Sequence, residues 1–106
     1  MSQVESQAVL QLAPDDLHLV KKLLQQYLPG TEVWAYGSRV KGVARPSSDL
    51  DLVAFASLDQ HDNVLALRDA FEDSDLPFRV DLFRWDDMPE SFKRNILREH
   101  IVAQHG

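Results

Sequence analysis

The chain contains no cysteine, which excludes a disulfide framework and thiolate metal sites alike. It has no apolar run approaching a bilayer span, and no basic start followed by an apolar stretch of the kind that opens a secretory leader. Positive charge is scarce: eleven lysines and arginines stand against seventeen aspartates and glutamates, for a formal charge of −6. A surface of that sign repels a phosphate backbone, so tight unaided binding to nucleic acid is not expected. The four histidines, His18, His61, His100 and His105, show no close ligand spacing, which argues against a zinc site. What remains is a globular protein with no membrane role, for which the cytoplasm is the expected home. A length of 106 residues gives room for one core, and the 44% hydrophobic content is enough to build it.

The order of elements follows from periodicity. Residues 1–13 read as a loosely attached N-terminal arm, from which Val9, Leu10 and Leu12 could pack; residues 14–106 read as the domain. Pro14 and two aspartates open a helix whose apolar positions, Leu17, Val20, Leu23, Leu24, Tyr27 and Leu28, recur at helical spacing. Pro29-Gly30 ends it, and Glu32–Tyr36 reads as a strand. A short helical turn and a loop cover Arg39–Ser48. Asp49–Phe55 reads as a second strand, with Asp49, Asp51, Val53 and Phe55 on one face and Leu50, Leu52 and Ala54 on the other. Asn63–Glu72 is a helix, Phe78–Phe83 a third strand, and Glu90 to about Val102 a last helix with Phe92, Ile96, Leu97, Ile101 and Val102 as its stripe. Asp86 and Asp87 fall in the turn before it, where capping is their expected role. Trp34 and Trp85 flank the sheet and are expected to pack there.

Chemistry concentrates between Tyr36 and Val53. Gly37-Ser38, a gap of ten residues and Asp49-Leu50-Asp51 make a pattern that chance places in a chain of this length roughly one time in a thousand. Gly37 lets a phosphate approach the backbone, Ser38 adds a hydroxyl, and a helical turn opened by Arg39 turns its positive end to the same anion. Lys41 and Arg45 add charge nearby. Asp49 and Asp51, about 7 Å apart along one strand face, repel each other unless a divalent cation sits between them. Asp81, on the opposite face of its strand from Val80 and Leu82, is a third acid available to that cation. A connection of about a dozen residues favours antiparallel pairing of the first two strands, which brings both motifs to one edge.

The text Tyr36-Gly37-Ser38-Arg39-Val40-Lys41-Gly42 followed by Ser48-Asp49-Leu50-Asp51-Leu52-Val53 resembles the nucleotidyltransferase superfamily of DNA polymerase beta type. Its length resembles that of the minimal nucleotidyltransferases, antitoxin partners of HEPN-domain toxins. The resemblance implies an α+β (mixed α/β) nucleotidyltransferase fold, read here as a small mixed three-stranded sheet flanked by helices. It implies two Mg²⁺ ions bridged by Asp49 and Asp51, with Asp81 completing the catalytic one, and a nucleotide phosphate held at Gly37, Ser38 and Arg39. It also implies transfer of AMP from ATP to a tyrosine hydroxyl of the HEPN toxin. Two alternatives stand beside that reading: an antitoxin that neutralises its partner by binding alone, and transfer to a small molecule of the aminoglycoside type.

Overall fold

The computed structural model describes residues 10–106, so most of the N-terminal arm, Val9 included, lies outside the described residues. The elements run α1 (Pro14–Tyr27), β1 (Val33–Tyr36), α2 (Ser38–Lys41), β2 (Leu50–Ala54), α3 (His61–Glu72), β3 (Val80–Arg84), α4 (Glu90–Arg98) and β4 (Ile101–Gln104). They form a mixed four-stranded sheet in the order β3-β2-β1-β4. β1 pairs antiparallel with β2 and with β4, while β2 and β3 run parallel, joined by a crossover that carries α3.

One face of the sheet packs on α1 and α3. Val20 and Leu24 from α1, Leu28 just after it, and Val64, Leu67 and Phe71 from α3 meet Val33, Ala35, Leu50, Leu52 and Leu82 in a single apolar core. Leu10 belongs to it too, and Leu12 packs against it, so the described end of the arm is docked onto the domain. Period-two alternation then sends Trp34, Tyr36, Asp51 and Val53 to the other face. There Ile96 of α4 and Met88 cover Val53, Trp34 and Trp85, which closes part of that face. Trp34 also stacks on His100, with ring centroids 3.7 Å apart, so both tryptophans serve packing as expected.

Two expectations are corrected. The sheet has four strands rather than three, because the last helix stops at Arg98 and Glu99 turns extended, with φ −147°. Ile101 and Val102 fit a helical stripe equally well on paper. As β-branched residues they settle in a strand because β1 offers an open edge. Asp86 and Asp87 do not cap α4, whose N-cap is Pro89 with no side-chain bond. Both turn to buried Arg84 instead, Asp87 at 3.2 Å and Asp86 at 3.9 Å, because a desolvated guanidinium needs an opposing charge.

The fourth strand also locks the turn that leads into β1. Gln104 Nε2 donates to the carbonyls of Leu28 and Thr31, at 2.7 and 2.8 Å. Gln104→Ala leaves both acceptors without that donor. Urea denaturation should show a loss of about 1–2 kcal/mol with an unchanged m value.

Candidate functional site

Strand register assembles the site. Tyr36 lies opposite Asp51 across the β1–β2 pair, and Asp51 lies opposite Asp81 across the β2–β3 pair. Residues directly opposed in a sheet share a face, so Tyr36, Asp51 and Asp81 form a row across three strands, spaced by about 4.8 Å per strand. Asp49 stands one residue ahead of β2, exposed at the mouth of this row.

The row carries unbalanced negative charge. Burial pushes the Asp51 carboxyl up to about 6, and the charges of Asp81 and Asp49 push it the same way. The Tyr36 hydroxyl is raised to about 12 by burial and then by Asp51 and Asp81, so it stays protonated and can donate at neutral pH. One cation answers part of the charge: Arg79 Nε donates to Asp81 Oδ1 at 3.0 Å. Among the described residues no three acids are gathered as a ready ion cage. Yet the chemistry fits a divalent cation, since two adjacent carboxylates with a third beside them hold their charges only at a cost that such an ion removes.

Gly37 closes the row from one side. With φ +86° and ψ −155° it occupies backbone space that L side chains rarely adopt. An added Cβ would also fall inside the contact distance of Asp51 Oδ2, so the backbone at Gly37 runs directly against that carboxylate. Ser38 and Arg39 follow at the start of α2, and among the described residues their N–H groups meet no backbone acceptor.

The three basic residues of the motif are put to different uses. Arg39 is only 5% exposed, and its guanidinium is taken up by carbonyls of Ser48 (2.9 Å), Gln11 (2.7 Å), Pro46 (3.0 Å) and Arg45 (3.4 Å) while lying over the Phe78 ring. An irregular loop leaves carbonyls without ladder partners, and the five donors of an arginine satisfy them at once. Arg39 therefore straps the segment that carries Asp49, and what it can offer an anion is its backbone N–H. Ser48 shapes the same loop by accepting the Arg45 N–H. Lys41 alone of the three reaches a cleft beside Gly37. This cleft, about 550 Å³, lies between α2 and α4 with Tyr36, Phe92 and Arg98 on its walls. Its size suits part of a small-molecule ligand.

Sequence reasoning missed Tyr36 as a neighbour of the acids, Arg79 as the partner of Asp81, and Arg98 as the second cation of the cleft. The first two had a signal in strand parity, since Arg79 lies two residues before Asp81. Arg98 had none, because only tertiary packing brings α4 to α2.

Two substitutions test this geometry. The folded-state carboxyl of Asp51 is raised above its ordinary value. Its destabilising charge is therefore absent below pH about 4, grows as pH rises, and is fully present above pH about 6. The difference amounts to about 3 kcal/mol, reduced to about 1–2 because water screens a half-buried group. Asp51→Asn should accordingly raise the melting temperature by about 5–10 °C at pH 7.5 and leave it nearly unchanged at pH 4, as read by calorimetry without divalent ions. Gly37→Ala should lower it at both pH values.

Comparison with known proteins agrees with this arrangement. The polymerase beta nucleotidyltransferase family matches residues 19–104. A probable protein adenylyltransferase, MntA of Haemophilus influenzae, is 45% identical over 99 residues, covering 92% of this chain and 86% of its own length. A toxin–antitoxin complex solved with AMP-PNP superposes with a TM-score of 0.58 at 15% identity, over 89% of this chain and 75% of the other. A tri-AMPylated Shewanella oneidensis HEPN toxin in complex with its MNT antitoxin gives 0.52 at 16% identity, over 86% and 71%. At such low identities the two solved structures speak for the fold. The family match and the Haemophilus relative carry the assignment: this chain is a member of the polymerase beta nucleotidyltransferase family.

Proposed function

We propose that this chain is a Mg²⁺-dependent protein adenylyltransferase that moves AMP from ATP to a tyrosine hydroxyl of a HEPN-domain toxin, and that this transfer neutralises the toxin. The observation that carries the reading is the Asp51–Asp81 pair set side by side, with Asp51 against the backbone of Gly37. Relatives support the rest: one is named a probable protein adenylyltransferase, and another was solved with a HEPN toxin that bears three AMP groups.

Asp49, Asp51 and Asp81 are the residues that would hold two Mg²⁺ ions. Mg²⁺ held there would supply the positive charge that neutralises the carboxylates, the α-phosphate and the departing pyrophosphate. The chain's own groups do the positioning. Gly37 allows the phosphates to lie against the backbone, where the N–H groups of Ser38 and Arg39 donate to them. Lys41 and Arg98 receive the far end of the polyphosphate in the cleft beside Gly37. Tyr36, kept protonated, donates a hydrogen bond towards the same oxygens. Asp81 lies on the edge strand, the side from which an acceptor can come, and takes the hydroxyl proton as the oxygen attacks.

The arrangement predicts a covalent product. Purified toxin incubated with this protein, ATP and Mg²⁺ should gain AMP by intact-mass spectrometry. Asp49→Asn and Asp51→Asn should each slow the gain by at least about a hundredfold. Toxin that stays unmodified yet is neutralised, equally by both variants, would replace transfer with simple occlusion.

A further inference from the structure

Phe92 and Ile96 share the apolar stripe that helical spacing gives α4, and the structure separates them. Ile96 is buried with Val53 and Met88, whereas Phe92 is 52% exposed and stands outside that cluster, on the wall of the cleft beside Gly37. Asn95, one helical turn on, is exposed on the same wall. A half-exposed ring on a concave wall leaves apolar area for a ligand to cover. A protein partner is a poor cover for it. Leu97, also exposed on α4, lies about 140° away around the helix and does not line the cleft, so the two make no common docking face.

The course of α4 says which part of a nucleotide meets the ring. The helix follows β3 by way of Trp85 and Met88 and leads into β4, whose Ile101 pairs with Ala35. It therefore crosses the sheet from the β2–β3 side, where the acids stand, to the β4 side. Phe92 lies towards the first and Arg98 towards the second, about 9 Å apart along the axis. Arg98, with Lys41 on the same cleft, suits the polyphosphate by its charge. Phe92 and Asn95 carry none, so they suit the uncharged end of the molecule.

We infer that Phe92 and Asn95 form the base subsite: the ring stacks on the base, and the carboxamide reads the edge that carries N6 and N7. A primary amide presents a donor and an acceptor side by side. Adenine answers both, with its N6 amino group and N7, whereas guanine offers two acceptors, O6 and N7, and leaves the amide oxygen unanswered. The pair therefore selects adenine over guanine. This inference rests on the transfer reading for where the phosphates lie and adds what holds the base.

Isothermal titration of the full chain with Mg²⁺ and the α,β-methylene analogues of ATP and GTP, whose α–β bridge cannot be cleaved, reads the subsite without any transfer. The ATP analogue should bind at least about tenfold more tightly, the discrimination expected of one two-point contact to a base. Asn95→Ala should weaken the ATP analogue alone and erase the difference. Phe92→Ala should weaken both by about tenfold, as when a base loses its aromatic platform, and Phe92→Trp should restore both. Equal affinity of the wild type for the two analogues, binding of neither, Asn95→Ala weakening both alike, or undiminished binding by Phe92→Ala would each overturn the inference. Transfer to the toxin is read separately by intact mass: AMP added by a chain that binds both analogues equally refutes the subsite alone, and base-selective binding with toxin left unmodified refutes the transfer reading alone.

Discussion

Two carboxylates, Asp51 and Asp81, are held side by side by the parallel pairing of β2 and β3, and the rest of the site is arranged around that unfavourable contact. Backbone hydrogen bonds fix the register, and apolar side chains on the opposite face, Leu50, Leu52 and Leu82 among them, fix the facing. The acids cannot relax apart without a slip of the strand, which would send those leucines to water. Folding therefore stores a local repulsion, which adds to burial in raising the carboxyl of Asp51. Gly37 adds to it by bringing backbone against the same carboxylate, and leaves the N–H groups after it to an anion. A site that repels itself and faces backbone donors is suited to a cation and a phosphate arriving together.

The two faces of the sheet divide the work. α1 and α3 cover one face and form the main apolar core with it. α4 and Met88 cover the other over Val53, Trp34 and Trp85, and leave Asp81 on the outer strand β3. This partly covered face sets where things can bind. The cleft with Lys41 and Arg98 lies on the Gly37 side, and the Arg79–Asp81 ion pair lies on the β3 side. A cleft on one side of an acid pair and an outer strand on the other suit the two-sided geometry of an in-line displacement.

Most of this was legible in the sequence where local rules act alone. The alternation of Leu50, Asp51, Leu52 and Val53 placed the acids on one face, and helical spacing located α1 and α3 to within two residues. Where two local readings were equally good, tertiary pairing decided: Ile101 and Val102 completed a helical stripe as well as a strand, and the open edge of β1 took them. Arg39 shows a different limit. Proximity in sequence to Gly37-Ser38 made it a natural phosphate ligand, but the carbonyls of an irregular loop had a prior need of its donors. Composition records a charge; only the fold shows what the charge is already satisfying. The same holds for Asp86 and Asp87, drawn to Arg84 rather than to a helix end.

The central claim is that the Asp51–Asp81 repulsion is what a divalent cation relieves. It is tested most directly by Mn²⁺ binding, used in place of Mg²⁺ and followed by its electron paramagnetic resonance signal. With the Asp51 carboxyl near 6, protons compete below that value, so affinity at pH 5 should be about tenfold weaker than at pH 7.5, and Asp51→Asn should lose both the affinity and its pH dependence. Equal affinity at the two pH values, or undiminished binding by Asp51→Asn, would contradict the account.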